Sequence, residues 1–218
     1  KTRFAFLMAA LAMVLGCARN RVAADAGWTS MFNGKDLSGW KSNEETPGVF
    51  TVTPEGTLKV SGGRAHIFYV GPQGNVEFKN FEFKAKVMTT PGANSGIYFH
   101  TQFEPKGWPS KGFECQVNTS HTDPKRTGGL YAVKDVMNDA PSKDGEWFDY
   151  AIKVEGQHIT LSINGKVTAD WTEPADWDPA KSLKDMPGRK LGTGTIALQG
   201  HDPKSTVFYK EMSIRALP

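Results

Sequence analysis

Three short segments carry side chains able to do chemistry on a polyol. In Gly112-Phe113-Glu114-Cys115-Gln116-Val117-Asn118, the residues Glu114, Gln116 and Asn118 recur at every second position. In Ser95-Gly96-Ile97-Tyr98-Phe99-His100, Tyr98 and His100 share the same parity, and in Ile196-Ala197-Leu198-Gln199-Gly200-His201 so do Gln199 and His201. Successive side chains of an extended strand face opposite ways. Each segment therefore offers a polar face behind an apolar one made by Phe113, Cys115 and Val117, by Ile97 and Phe99, or by Leu198. If the three strands share a sheet, its outer surface bears a carboxylate, two imidazoles, amides and a phenol. Such a surface packs poorly and hydrogen-bonds a polyol well. The alternative is a set of ordinary solvated strand faces, but Glu, Gln and His are not preferred strand residues and their recurrence invites a reason.

Glu114 is the candidate base, with His201 and His100 as candidate catalytic partners. An ordinary glycosidase sets two carboxylates on one bond. Glu114 has Gln116 and Asn118 as its same-face neighbours, so no second acid stands at the right spacing, although Asp135, Asp139 or Asp149 could fold into reach. Glu114, His100 and His201 could also supply three ligands of an open divalent-metal site. No compact ligand motif such as His-Glu-x-x-His accompanies them. Two further segments border the surface. Residues 118–129 read as a long polar loop with His121, Asp123, Lys125 and Arg126, running through a Gly128-Gly129 bend to Tyr131. Trp108 lies between Gly107 and Pro109 in a loop, placed either to stack on a sugar face or to plug the core. Gln116, Gln199, Tyr98, Tyr131, His121 and Trp108 are the candidate substrate-binding residues.

The elements that must position these groups read as strands. Phe81, Phe83, Ala85 and Val87 alternate with Glu82, Lys84 and Lys86. Phe148 to Val154 and Ile159 to Ile163 alternate in the same way, and Asn164-Gly165 supplies the positive-φ residues of a tight hairpin turn. Ile196 and Leu198 mark another strand and Thr206 to Ile214 a further one, while Pro174 to Lys184 alone hints at a helical turn. Turn clusters at intervals of roughly ten residues predict an all-β, two-sheet antiparallel sandwich or jelly roll.

Composition excludes several classes. A formal charge of +3 over 218 residues gives no electrostatic case for nucleic acid. With 22% charged and 39% hydrophobic residues the chain is neither disordered nor a membrane bundle. Phe4 to Leu15 is apolar but shorter than the roughly 20 residues a spanning helix needs. After Lys1 and Arg3 it reads as a signal-peptide core, residues 1–16. Val14-Leu15-Gly16-Cys17 resembles a bacterial lipobox, with Cys17 as the lipidated residue, 17–27 as a tether and 28–218 as the folded domain. No Asp follows Cys17, which favours an outer-membrane anchor, so the expected location is the cell envelope, with membrane contact through the lipid alone. With Cys17 acylated, Cys115 is left without a partner for an intrachain disulfide.

Blocks along the chain resemble the 3-keto-disaccharide hydrolase domain family. In order they are Met31-Phe32-Asn33-Gly34-Lys35-Asp36-Leu37-Ser38-Gly39-Trp40, Asn94-Ser95-Gly96-Ile97-Tyr98-Phe99, Gly112 to Val117, Thr127-Gly128-Gly129-Leu130-Tyr131, Gly145-Glu146-Trp147-Phe148, Ile163-Asn164-Gly165-Lys166 and Ala197 to His201. The residue after Phe99 is often Arg in relatives and is His100 here. The resemblance implies a concanavalin A-like sandwich acting on glycosides oxidised to a 3-ketone. Such a substrate needs one base, a group to stabilise an enolate oxygen and help for the leaving group. It also implies a separate sugar oxidoreductase that makes the ketone, since no dinucleotide-binding glycine fingerprint occurs here. A non-catalytic carbohydrate-binding envelope protein uses the same residues, and an envelope protein that contacts another protein or a glucanase with loop-borne acids are further readings.

Overall fold

Period-two alternation becomes two antiparallel sheets. The computed structural model describes residues 27–43, 45–183 and 185–218. The signal segment 1–16 and the tether as far as residue 26, with Cys17, lie outside the described residues.

The strands in chain order are β1 (Thr29–Ser30), β2 (Trp40–Ser42), β3 (Phe50–Val52), β4 (Leu58–Ser61), β5 (Ala65–Tyr69), β6 (Phe81–Thr89), β7 (Asn94–Thr101) and β8 (Phe113–Asn118). They continue with β9 (Lys125–Leu130), β10 (Lys134–Met137), β11 (Phe148–Glu155), β12 (His158–Ile163), β13 (Lys166–Thr172), β14 (Thr195–Gly200) and β15 (Thr206–Ala216). One sheet runs β13-β12-β11-β6-β15-β4-β3, with β1 on β15; the other runs β10-β9-β8-β7-β14-β5-β2. The second sheet carries all three chemistry-bearing segments, with β7 between β8 and β14.

The core fills the space between the sheets. Phe81, Phe83, Ala85 and Val87 of β6 and Phe148, Tyr150, Ile152 and Val154 of β11 turn inward, and Phe99, Phe113, Cys115 and Val117 meet them from the other sheet. Each large apolar side chain removed from water contributes about 1.5–3 kcal/mol. In β15 the inward parity changes from Val207 and Tyr209 to Met212 and Ile214. A register shift between Lys210 and Ser213, with Glu211 at φ 52°, inserts the odd residue that keeps both halves facing the core. Asn164 and Gly165 take φ values of 51° and 76°, the geometry a right-twisted hairpin favours. The expected helical turn is α1 (Pro179–Ser182), whose first turn is capped by Asp178 accepting from the Ala180 amide.

Two expectations change. The polar faces are not an outer surface, because β5, β7, β8 and β14 are buried on both sides. Loop residues Trp108, Pro109 and Ser110 and a second loop through Asp185, Met186 and Pro187 wall the sheet on its far side. The stretch 118–129 is also not one loop. Residues 125–130 are β9, and Gly128, at φ 82°, lies inside it with Thr168 donating to its carbonyl at 2.8 Å.

Candidate functional site

A cavity of about 510 Å³ opens over the centre of the second sheet. Its floor is Asn94 and Tyr98 of β7, Glu114 and Gln116 of β8, and Gln199 of β14, with His201 just past the end of β14. Tyr131, Asp123, Trp108 and Arg189 stand around it. Register explains the convergence: Tyr98 pairs with Glu114, and Gly96 with Gln116.

Glu114 lies under 10% exposed and is held from three sides. Arg189 Nη2 donates to its Oε2 at 2.9 Å and Gln199 Nε2 donates to its Oε1 at 2.9 Å. The third side is Gly96. A Cβ there would stand 2.6 Å from Glu114 Oε1, so the missing side chain is what lets the carboxylate lie across β7. Gln199 Nε2 also donates to the Tyr98 hydroxyl at 3.0 Å. Burial, and then the negative charge of Glu114, push the Tyr98 phenol well above its usual range. Tyr131 is raised to about 12 by burial and by Asp123 and Glu114, so both phenols stay protonated donors.

Arg189 reaches the site on the loop between α1 and β14. Its Nη1 donates to the Gly112 carbonyl at 3.3 Å, its own carbonyl accepts from Trp177 Nε1 at 2.8 Å, and its guanidinium lies 5.3 Å from the Tyr98 ring centre. The loop is fixed against β8, with the Gly112 amide donating to the Gly188 carbonyl at 3.0 Å.

At the opposite end His201 Nδ1 lies 2.9 Å from Asp202 Oδ2. Burial alone would raise Asp202, but hydrogen bonds from Ser205, His201 and the Lys204 amide outweigh it and hold the carboxyl at about 2. His201 Nε2 is 3.3 Å from Asn94 Nδ2, and the His121 ring is 5.5 Å from the His201 ring. His121, His201 and Asp202 each turn one donor atom to a common point, all within 4.8 Å of one another. Two imidazoles and a carboxylate suit a divalent cation with open positions.

The structure thus brings together Glu114, Gln116, Gln199, Tyr98, Tyr131, Trp108 and His201, with His121 beside His201. His100 does not join them. The backbone at His100 turns to φ 54°, and its ring swings away from the Tyr98 face. There its Nε2 lies 2.8 Å from the Lys79 carbonyl and the ring packs on Phe81 and Phe99. The catalytic and metal-binding roles expected of His100 are therefore corrected: the clustered donors are His121, His201 and Asp202. Asn118 is a loop anchor, its amide donating to the Asp123 and Lys125 carbonyls. Sequence reasoning missed Asn94, Asp202 and Arg189. Asn94 shares the parity of Tyr98 and Asp202 follows His201, so both had a signal. Arg189 had none.

A model of the 3-keto-α-glucoside-1,2-lyase-like domain family matches residues 27–215. The chain belongs to this family. It is 22% identical over 231 residues to a 3-keto-disaccharide hydrolase of Bacteroides thetaiotaomicron, covering 88% of this chain and 79% of that protein. A solved structure from Parabacteroides distasonis, assigned as a glycosyl hydrolase, superposes with a TM-score of 0.74 at 25% identity, over 88% of this chain and 94% of that one. A carbohydrate-binding module from Bacillus subtilis shares the fold at 11% identity, with a TM-score of 0.54 over 82% of this chain and 96% of that one. These likenesses support a glycoside hydrolase-like domain on the two-sheet sandwich that the strand pattern predicted, of the lectin type that the family resemblance implied. Among the described residues no helix is long and apolar enough to cross a membrane.

Proposed function

We propose that the protein cleaves glycosides whose sugar carries a ketone at carbon 3, with Glu114 as the base. The observation that carries this reading is the single floor carboxylate: Glu114 stands among amides, phenols and Arg189, without a second carboxylate aligned on its strand. Direct displacement at the glycosidic carbon asks for an acid and a nucleophile or base. A 3-keto sugar asks for one base, because the ketone acidifies the hydrogen on carbon 2.

Glu114 removes that proton. The electron pair forms an enolate, which expels the glycosidic oxygen from carbon 1. The leaving oxygen takes a proton from water, the remaining hydroxide adds to carbon 1, and Glu114 returns its proton to carbon 2. The sum is one water consumed and two sugars or alcohols released. His201, with the ionised Asp202 behind it, supports charge on the enolate oxygen. Gln116, Gln199, Tyr98 and Tyr131 orient hydroxyls. A divalent cation held by His121, His201 and Asp202 would supply Lewis-acid polarisation of an oxygen at the same end.

The same reading takes the ketone from a separate oxidoreductase, and the Cys17 motif supports lipid anchoring in the cell envelope. The test compares a 3-keto-glucoside with its unoxidised parent. Cleavage of the keto form alone is expected. Cleavage of both, or binding of both without turnover, would replace the elimination reading with a glucanase or a carbohydrate-binding protein.

A further inference from the structure

Four unpaired polar atoms stand in one line across the second sheet. Gln116 faces Gly96 across β8 and β7, and Gln199 faces His66 across β14 and β5. Oε1 of Gln116, Oε1 of Gln199 and both ring nitrogens of His66 meet no hydrogen-bonding group among the described residues. All three residues are at most 2% exposed. An unmet buried polar atom costs about 1–3 kcal/mol. A fold that gathers several along one row gains nothing from them until a ligand arrives.

Gln116 and Gln199 line the cavity, and their buried Oε1 atoms would accept from a sugar hydroxyl that reaches them. His66 continues their row but is roofed by Trp108, ring centres 5.5 Å apart and nearly perpendicular, with Tyr98 at 5.6 Å on another side. Burial pushes the His66 imidazole down to about 3, so the ring is neutral. It then offers one donor and one acceptor, the complement of a single hydroxyl. The roof itself is 44% exposed. Its indole rests on ring contacts with His66, His201 and Arg64, while the loop backbone is anchored through the Gly107 amide, which donates to Glu45 Oε2 at 2.9 Å. The side chain can therefore leave its seat without the loop releasing its anchor.

We propose that His66 is a substrate-binding residue, the far end of a Gln116–Gln199–His66 row, reading a hydroxyl of a second, neutral sugar ring that displaces the Trp108 indole. From β8 to β5 is three strand spacings, roughly 14 Å, which exceeds one pyranose ring. No residue of the row carries charge, which fits the hydroxyls of an unsubstituted hexose, while Arg64 stands 5.3 Å from the Trp108 ring. This inference rests on the carbohydrate reading of the cavity and adds a second sugar unit to it.

The test compares wild type with His66→Leu on a 3-keto-disaccharide and on the one-ring methyl 3-keto-glucoside. His66→Leu removes the unmet nitrogens at similar size, and its melting temperature should equal or exceed that of the wild type. We expect KM for the disaccharide to rise at least tenfold and the methyl glucoside to change less than twofold. Equal effects on the two substrates, or none on either, would overturn the proposal. A second readout needs no turnover: the His66 ring-nitrogen resonances, followed as the unoxidised disaccharide or glucose is added. A shift with the disaccharide and not with glucose supports the subsite even if the wild type cleaves neither keto substrate. Unmoved resonances at saturating disaccharide refute it.

Discussion

Glu114 and Arg189 form a buried ion pair, Oε2 to Nη2 at 2.9 Å, with both side chains under a tenth exposed. Removing one partner of such a pair leaves a desolvated charge behind, a loss of about 3–5 kcal/mol. Arg189→Leu is therefore expected to lower stability by that order and to abolish cleavage. Glu114→Leu combined with Arg189→Leu should recover most of the stability and none of the activity. Glu114→Gln should cost about a hundred- to ten-thousand-fold in kcat/KM while keeping the fold. Denaturant unfolding of wild type, Glu114→Leu, Arg189→Leu and the double Leu variant, closed as a cycle, measures the coupling.

Gly96 tests the geometry without replacing a charged group. Its φ lies outside the left-handed region, so Ala fits the backbone, but the new Cβ meets Glu114 Oε1 at 2.6 Å. Gly96→Ala should displace the carboxylate and lower kcat/KM about a hundredfold, since an error of about 1 Å in placement costs that much. A variant that folds normally and retains full activity would separate Glu114 from the chemistry.

His66 sets a pH signature on stability. Its folded value of about 3 lies below the ordinary 6.5, mainly through burial, with the charges of Arg64 and His201 working in the same direction and Glu45 against it. Between those two values the unfolded chain binds a proton that the folded protein refuses. Stability therefore falls as pH drops through that window, with a limiting slope of about 1.4 kcal/mol per pH unit from this group. In His66→Leu that part of the slope should vanish. Chemical denaturation at a series of pH values between 7 and 4 checks it.

The triad of His121, His201 and Asp202 predicts a divalent-cation dependence. A chelator should reduce activity, and added zinc or manganese should restore it. His121→Ala should weaken cation binding, read by calorimetry, by about tenfold or more, since even indirect supports of metal ligands cost that much. Asp202→Asn should do the same and also remove the group held at about 2, so that any loss of stability between pH 4 and 2 becomes shallower. Activity unaffected by chelator would leave His201 to act with Asp202 alone.

Most of the sandwich was legible because its evidence is local. Phe81 to Val87, Phe148 to Val154 and the Asn164-Gly165 turn each declare their geometry within a few residues. The floor of the site was legible for the same reason, as parity alone puts Tyr98, Glu114, Gln116 and Gln199 on polar faces. Parity failed at His100, where one left-handed backbone angle sends the ring the other way. It also failed to show that the face is covered, because the covering loops have no period. Arg189 was hidden by distance along the chain, 75 residues from its partner. His66 was hidden by its company: in Ala65-His66-Ile67-Phe68-Tyr69 a single imidazole reads as part of an apolar run.

The placement of β15 has a consequence for how the chain comes to be folded. This last strand pairs with β6 on one side and with β4 on the other, and β1 adds to it as well. Until residues 206–216 have left the ribosome, β6 and β4 expose unpaired edges and the apolar layer beneath them has no lid. Assembly of this sheet is thus dominated by distant pairings, the kind that proceeds slowly. The edges of β6 and β4 need guarding until those pairings are made.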